Sequence, residues 1–501
     1  MAQRRSDHRK LLPAVVTSYL TTGLQGGSFL VTTPVIIAHY GAAGFGHWAL
    51  AMAIIGYIQG IDLGVGMETS RASAAASSAE ARGRAVVSAL ICLSVPASLA
   101  VVASVCLFVT NPSMGEGGPW IATALGLGGL SLPLSLASNI LYGLNRQVAR
   151  NLILFVAALL SVIGIVVASV CGADLAMLVV ASSGGGIGAF IVMAVGILRM
   201  PAIARPPLRT IRASHVVEVL RSSLSLYALT AAGQIIIYSD TFIVDALFGA
   251  ATLGVYTVGM RIVQAFSTLV NQLSDVLLPG FARAAADGVD DEVCGRVRRG
   301  IRIAACLAFA LVGVLVALGR GLIILWVGPH YLAAWSIALL LCGGVLLNGP
   351  TRTAVIWAIA VSRREGLARI ALLEALGNVA LSVGLGLALG FRGVALASLI
   401  TVMGTNGWLI PRMLFPRIGL SWLRDLAIPV AIDALVTLPA GLVVVAALPA
   451  NEPRGWELLL VAAALLVVYL ALLTVTTAAG TYRARRTNTE PSGRPGSIRS
   501  P

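Results

Sequence analysis

Charge is what this chain has least of. Only 11% of its 501 residues are Asp, Glu, Lys or Arg, against 58% hydrophobic, and the mean hydropathy is +0.91. Soluble domains carry about 25% charged residues, so an ordinary water-soluble globule is excluded and a polytopic membrane protein is implied. Lysine is nearly missing: of 35 basic residues only Lys10 is not Arg. A net charge of +14 would suggest a nucleic-acid partner in a soluble domain. Here the arginines fall in alternate connections between apolar runs, which is the positive-inside pattern, and no nucleic acid is implied. The six cysteines, Cys92, Cys106, Cys171, Cys294, Cys306 and Cys342, have no metal-like spacing and read as small core residues, so no metal site is expected. A Gly-Lys-Ser/Thr phosphate loop is missing, and ATP hydrolysis by this chain is not expected. Long exterior loops are missing too, which argues against a membrane glycosyltransferase, polymerase or ligase. The first exterior link, Tyr40 to His47, carries no carboxylate.

What is present is a series of about fourteen apolar segments long enough to span a bilayer. The charged start, MAQRRSDHRK, resembles a signal peptide, yet the following apolar run continues to Ala38 without a small-residue cleavage site. It reads as an uncleaved first helix. Basic clusters such as Arg71/Arg82/Arg84, Arg146/Arg150, Arg363/Arg364/Arg369 and Arg412/Arg417/Arg424 alternate with arginine-poor links, which predicts an even helix count with both termini cytoplasmic. The expected organisation is an N-lobe of six helices over 1–198 and a cytoplasmic linker over 199–223, whose second part suits an amphipathic helix. A C-lobe of six helices over 224–416, two further helices over 417–480 and a disordered tail over 481–501 follow. The second segment is expected over His47–Glu68, and a break at Asn348-Gly349-Pro350 is expected to kink the tenth.

The halves echo one another. Tyr40-Gly41-Ala42-Ala43, Gly46 and Trp48 recur as Phe248-Gly249-Ala250-Ala251, Gly254 and Tyr256, an offset of 249 − 41 = 208 residues. Two six-helix halves enter the membrane in the same direction, so a pseudo-two-fold axis along the membrane normal is predicted, with polar groups between the halves as in a transporter.

The segment YGAAGFGHWALAMAIIGYIQGIDLGVGMETSRASA resembles the first two helices of the polysaccharide biosynthesis flippases, the O-antigen branch of the multidrug/oligosaccharidyl-lipid/polysaccharide (MOP) flippase superfamily. Gly41, Gly46, Trp48, Asp62, Gly64 and Arg71 carry the likeness. Leu325-Trp326-Val327-Gly328-Pro329-His330-Tyr331 resembles the turn before the family's tenth helix, and Gly390-Phe391-Arg392-Gly393 the entry to its twelfth. The resemblance implies an all-α, MATE-like bundle of two lobes. Their central cavity opens alternately to either side and carries an undecaprenyl-pyrophosphate-linked oligosaccharide outward across the cell inner membrane, for lipopolysaccharide or another surface polysaccharide. It implies a transporter, not an enzyme. The implied partners are the lipid-linked oligosaccharide, membrane lipids, and a polysaccharide polymerase with glycosyltransferases. No cofactor is implied beyond coupling to H+ or Na+. A lipid II flippase, a cation-coupled drug exporter, and a membrane polymerase or ligase are the competing readings.

Such a substrate needs cations for its pyrophosphate and neutral polar groups for its sugars. Arg261, about 12 Å along the eighth segment, is the first candidate for the phosphate; structural pairing with Asp240 or Asp245 is the alternative. Arg352 is a second phosphate contact or a snorkelling interfacial residue. Gln25, Gln234 and Gln264 suit sugar hydroxyls. Asp240 and Glu374 are either ion-coupling carboxylates or charge partners. Asp62, Glu68 and Arg71 are expected to form a structural lock at the cytoplasmic gate.

Overall fold

A computed structural model describes residues 2–435, apart from 63, 111–117, 205–210, 288–289 and 361–365. The expected fourteenth segment and polar tail therefore lie outside the described residues, as does the thirteenth beyond 435. No strand occurs among the described residues. The helices are α1 (Ala2–Gly27), α2 (Phe29–Gly60), α3 (Val65–Ala75), α4 (Ala79–Thr110), α5 (Gly118–Gly143), α6 (Gln147–Val170) and α7 (Leu175–Leu198). They continue with α8 (Ala213–Phe248), α9 (Ala250–Asp287), α10 (Asp290–Val327), α11 (Ala333–Ala360), α12 (Leu367–Leu389) and α13 (Phe391–Gly404). A π-helical turn, Thr405–Leu409, extends α13.

Among the described residues, eleven apolar runs are long enough to cross a bilayer. The first, Val16–Gly60, has 45 residues; at 1.5 Å per residue it would reach more than 65 Å, about twice a hydrocarbon core, so it must turn. It does so at Gly41 (φ 68°, ψ −173°), a backbone conformation open essentially to glycine alone. Counting that run twice, the described residues hold 11 + 1 = 12 segments long and apolar enough to cross a bilayer. Gly249 (φ 80°, ψ 169°) separates α8 from α9 in the same way, 208 residues later.

Three expectations change. The second span stops at Gly60, and Asp62 to Gly64 lead into the separate helix α3. The second part of the expected linker is not a helix of its own: it forms the start of α8, which runs unbroken for 36 residues from Ala213. One face of its first turns, at Val216, Val219 and Leu220, packs on the α4/α5 core. Nor is there a helix break at 348–350, because α11 continues through Pro350. There the Thr351 hydroxyl donates to the carbonyl of Leu347 at 2.8 Å and of Asn348 at 3.2 Å, bonding back onto its own helix as a threonine in an apolar helix does.

By contact density the chain forms two compact units. The first comprises Met1–Thr268, Ile323–Gly344 and Arg364–Thr405; the second comprises Leu269–Leu322, Val345–Arg363 and the chain from Asn406 onward. The first unit has a core of Ile36, Phe45, Leu178, Leu253 and Tyr256, all fully buried. In the second, Val297, Ile301 and Ala308 are buried beside an ion pair in which Arg298 donates to the buried Asp425 at 2.7 Å. Asp425 also accepts the Ser421 amide at 2.7 Å, so the carboxylate is doubly satisfied.

Lipid tails are as apolar as leucine, so membrane helices associate through close packing that small residues permit. In the first unit this happens twice around one axis. A Cβ on Gly46 would lie 1.9 Å from the Ala250 carbonyl oxygen, and one on Gly254 would lie 2.2 Å from the Ala42 oxygen. Since 250 − 42 and 254 − 46 both equal 208, the contact is reciprocal, and a local pseudo-two-fold passes between α2 and α9. Gly46→Leu or Gly254→Leu is therefore expected to destabilise the protein by about 1–3 kcal/mol through overpacking. The pair should be less than additive because both relieve one contact. Gly384→Ala, where a Cβ would meet nothing within 4 Å, is the neutral control, all read as unfolding midpoints in detergent.

Candidate functional site

Two polar centres sit in the first unit, one on each side of α9. The first is built by α2, α8 and α9. Arg261 lies eleven residues beyond Ala250, about 16 Å into the helix, further than the 12 Å expected and midway along the apolar run Ala250–Gln272. Its guanidinium stands 5.4 Å above the ring of Trp48, and its Nη1 donates to Gln264 Oε1 at 3.3 Å. Its Nε is buried with no hydrogen-bond partner. Trp48 is itself fixed, donating from Nε1 to Ser182 on α7 at 2.8 Å and stacking on Phe45 at 5.6 Å. A cation on an aromatic face gains roughly 0.5–2 kcal/mol while keeping most of its five donors for another ligand.

Glycines on α2 bring α8 close. At Gly56 a Cβ would run into the Tyr238 hydroxyl, and at Gly60 into the Gln234 side chain. Tyr238 also packs on Tyr57, with ring centroids 5.9 Å apart. The Tyr238 hydroxyl is within electrostatic reach of Arg261. Gln264 is exposed and Gln234 half-buried. Gln25, on α1, is exposed one residue before Gly26, which faces Thr268 of α9.

The second centre is the carboxylate of Asp240, 5% exposed. Tyr256 donates to its Oδ2 at 2.9 Å and Ser398 to the same oxygen at 2.8 Å, while Ser382 donates to Oδ1 at 3.3 Å. Asn378 extends the network, donating to Ser398 at 2.9 Å and accepting from Ser239 at 3.2 Å. Four helices, α8, α9, α12 and α13, thus converge on one acid. Glu374, also buried, lies one turn before Asn378 on the same face of α12.

Asp240 is therefore not the partner of Arg261, and among the described residues no ion pair joins Arg261 to any acid. The reason is angular: Tyr256 and Arg261 are five residues apart, about 140° around α9, so one faces Asp240 and the other Trp48. Arg352 lies in the second unit, half-buried on α11 between the fully buried Thr351 and Thr353.

The expected gate cluster divides. Asp62 accepts the amides of Gly64 at 2.8 Å and Gly66 at 3.4 Å, so it caps α3 and does not meet Arg71. Burial pushes its carboxyl above the usual range, against the pull of those two amides. Glu68 and Arg71 form a two-pronged bridge at 3.0 and 2.8 Å. That bridge raises the arginine's affinity for its proton. It joins residues three apart within α3 and clamps no second helix.

A family model described as polysaccharide biosynthesis protein matches residues 15–285, more than half of the chain. The chain belongs to that family. No curated protein sequence matches it. Among solved structures, an inward closed conformation of lipid II flippase MurJ is similar with a TM-score of 0.74 and 14% identity, covering 93% of this chain and 100% of that one. An inward-facing multidrug resistance MATE transporter of the MOP superfamily has a TM-score of 0.63 and 14% identity, covering 85% and 98%. The MATE multidrug transporter DinF-BH has 0.56 and 15%, covering 81% and 94%. The protein is thus a multi-pass membrane protein of the polysaccharide biosynthesis family with a flippase-type helical fold.

Trp48, Tyr238, Tyr256, Ser382 and Ser398 lie outside the site expected from the sequence. Trp48 stands out there as a position of the repeat and of the family resemblance, and Tyr256 as its repeat equivalent, but neither as a site residue; serine in an apolar helix carries almost no signal. Removing the acceptor should be costly: Asp240→Ala leaves three hydroxyls without it and is expected to cost about 1.5–3 kcal/mol. Asp240→Asn, which keeps one carbonyl oxygen, should cost less in the same unfolding measurement.

Proposed function

We propose that this family member translocates a polyprenyl-diphosphate-linked oligosaccharide outward across the cell inner membrane by alternating access, with cytoplasmic termini and with the six-helix halves acting as lobes. One observation carries the reading. Midway along the apolar run Ala250–Gln272, Arg261 is held by an aromatic face and an amide and, among the described residues, not by a carboxylate, so its charge and part of its donor fork are available to an anion. Arginine's planar fork matches two phosphate oxygens. Gln264, Gln234 and Tyr238 on the same wall supply donors and acceptors for sugar hydroxyls, with Gln25 and Arg352 as further substrate contacts. An exporter of cationic drugs is disfavoured because, among the described residues, no acid pairs with this wall.

Asp240 suits coupling. A carboxylate enclosed by three hydroxyls, with no cation beside it among the described residues, is a place where H+ or Na+ neutralises a buried charge. Glu374 on the same face of α12 is a second candidate. The chain would pass its cargo from glycosyltransferases to a polymerase and would not itself be an enzyme. The fold likeness to a lipid II flippase favours one second reading, in which the cargo is a peptidoglycan precursor bearing the same diphosphate.

Both readings are separated by reconstituting the protein in vesicles with fluorescent polyprenyl-diphosphate oligosaccharide or lipid II and measuring the fraction moved. Oligosaccharide should move at least as fast as lipid II. Arg261→Ala should lower translocation about 10- to 100-fold, the loss of a charged hydrogen-bonded contact, with Arg261→Lys intermediate. Wild-type rates in Arg261→Ala would remove the residue from the site. Asp240→Asn should remain folded but lose the response to an imposed H+ or Na+ gradient; an unchanged response would place coupling elsewhere.

A further inference from the structure

The lipid-facing side of the α6/α7 hairpin carries an apolar groove of about 530 Å³. Leu152, Val156 and Leu160 form one side, and Gly184, Gly188 and Val192 the other. Its origin is visible in the glycines. A Cβ on Gly185 would collide with the Ala157 carbonyl oxygen at 2.3 Å, so the helix backbones touch there and make the floor. A Cβ on Gly184 or Gly188 would meet nothing within 4 Å, so the missing side chains are what opens the groove. Leu152, Leu160 and Val192 are 56–58% exposed, which puts this face against lipid.

The groove has a charged mouth. Arg146, the N-cap of α6, lies seven residues before the lining residue Ile153. Arg199, the C-cap of α7, lies seven residues after Val192. A heptad step drifts only about 20° around a helix, so both arginines continue the groove's lines to the arginine-rich end of the hairpin. Both are exposed, and neither is in an ion pair among the described residues.

We infer that this groove is a binding site for an anionic phospholipid, one acyl chain lying between α6 and α7 and the phosphate bridging Arg146 and Arg199. Two cations above an apolar channel complement a negatively charged headgroup on a hydrocarbon tail. Basic pockets between membrane helices recognise anionic lipids on this basis, and packing in the channel adds dispersion contacts that bulk lipid makes less completely. The site is separate from the Arg261 wall and does not rest on the transport reading.

The test is native mass spectrometry of the full chain in detergent, titrated with phosphatidylglycerol or phosphatidylcholine. Wild type should retain phosphatidylglycerol preferentially. Arg146→Gln and Arg199→Gln should each weaken that retention about fivefold, leaving phosphatidylcholine unaffected. The Gly184→Leu, Gly188→Leu double variant fills open space and should fold normally, yet lose retention with both arginines intact. Equal retention of the two lipids by wild type, or unchanged retention in the groove-filled variant, would overturn the inference. So would a dimeric mass abolished by filling the groove, which would make a second copy the occupant.

Discussion

The crossing of α2 over α9 organises the first unit of this protein. Gly46 rests on the backbone of Ala250 and Gly254 on that of Ala42, and only glycine at both positions lets two helices meet this closely. Two residues beyond each glycine stands an aromatic ring. Trp48 follows Gly46 and carries the Arg261 guanidinium; Tyr256 follows Gly254 and carries the Asp240 carboxylate. One backbone contact, repeated about a local two-fold, thereby fixes the positions of both Arg261 and Asp240 within the membrane-spanning core.

The two charges are kept apart, and among the described residues each is held by neutral groups. A buried ion pair would hold Arg261 and Asp240 against one another and leave neither free for a ligand. Instead the cation has a ring face and one amide, and the acid has three hydroxyls. Polar groups in a bilayer are costly enough that such arrangements mark ligand or ion pathways by default. This separation is the physical basis for assigning an anionic headgroup to one centre and a coupling ion to the other. The Glu68–Arg71 bridge is different in kind: it lies within one helix with its arginine 72% exposed, where solvent screening leaves little net stabilisation.

Much of the fold was legible in the residues. The apolar runs, the alternation of arginine between connections, and the echo at 208 residues pointed to a duplicated helical membrane protein. Of the glycines in that echo, Gly41 and Gly249 adopt positive φ, and Gly46 and Gly254 make the close helix contact. Arg261 and Asp240 were legible as charges in the wrong solvent. Their separate partners were not, because a helix projects residues five apart to different sides, and which side meets which neighbour depends on helices far away in the chain. The hydroxyls of Ser382 and Ser398 come from α12 and α13, more than 140 residues from Asp240, and nothing local distinguishes them from other serines.

Composition and periodicity alone determined that this chain crosses a membrane many times, that a motif recurs 208 residues on, and that a few charges lie within apolar segments, because the cost of charge in hydrocarbon is set by residue type and not by fold. Only the tertiary structure decided that the arginine faces a tryptophan, that the acid sits among hydroxyls, and that three missing side chains on α7 leave one backbone contact and an open channel beside it. Those outcomes depend on which helix faces meet, and facing is a property of packing between segments distant in sequence.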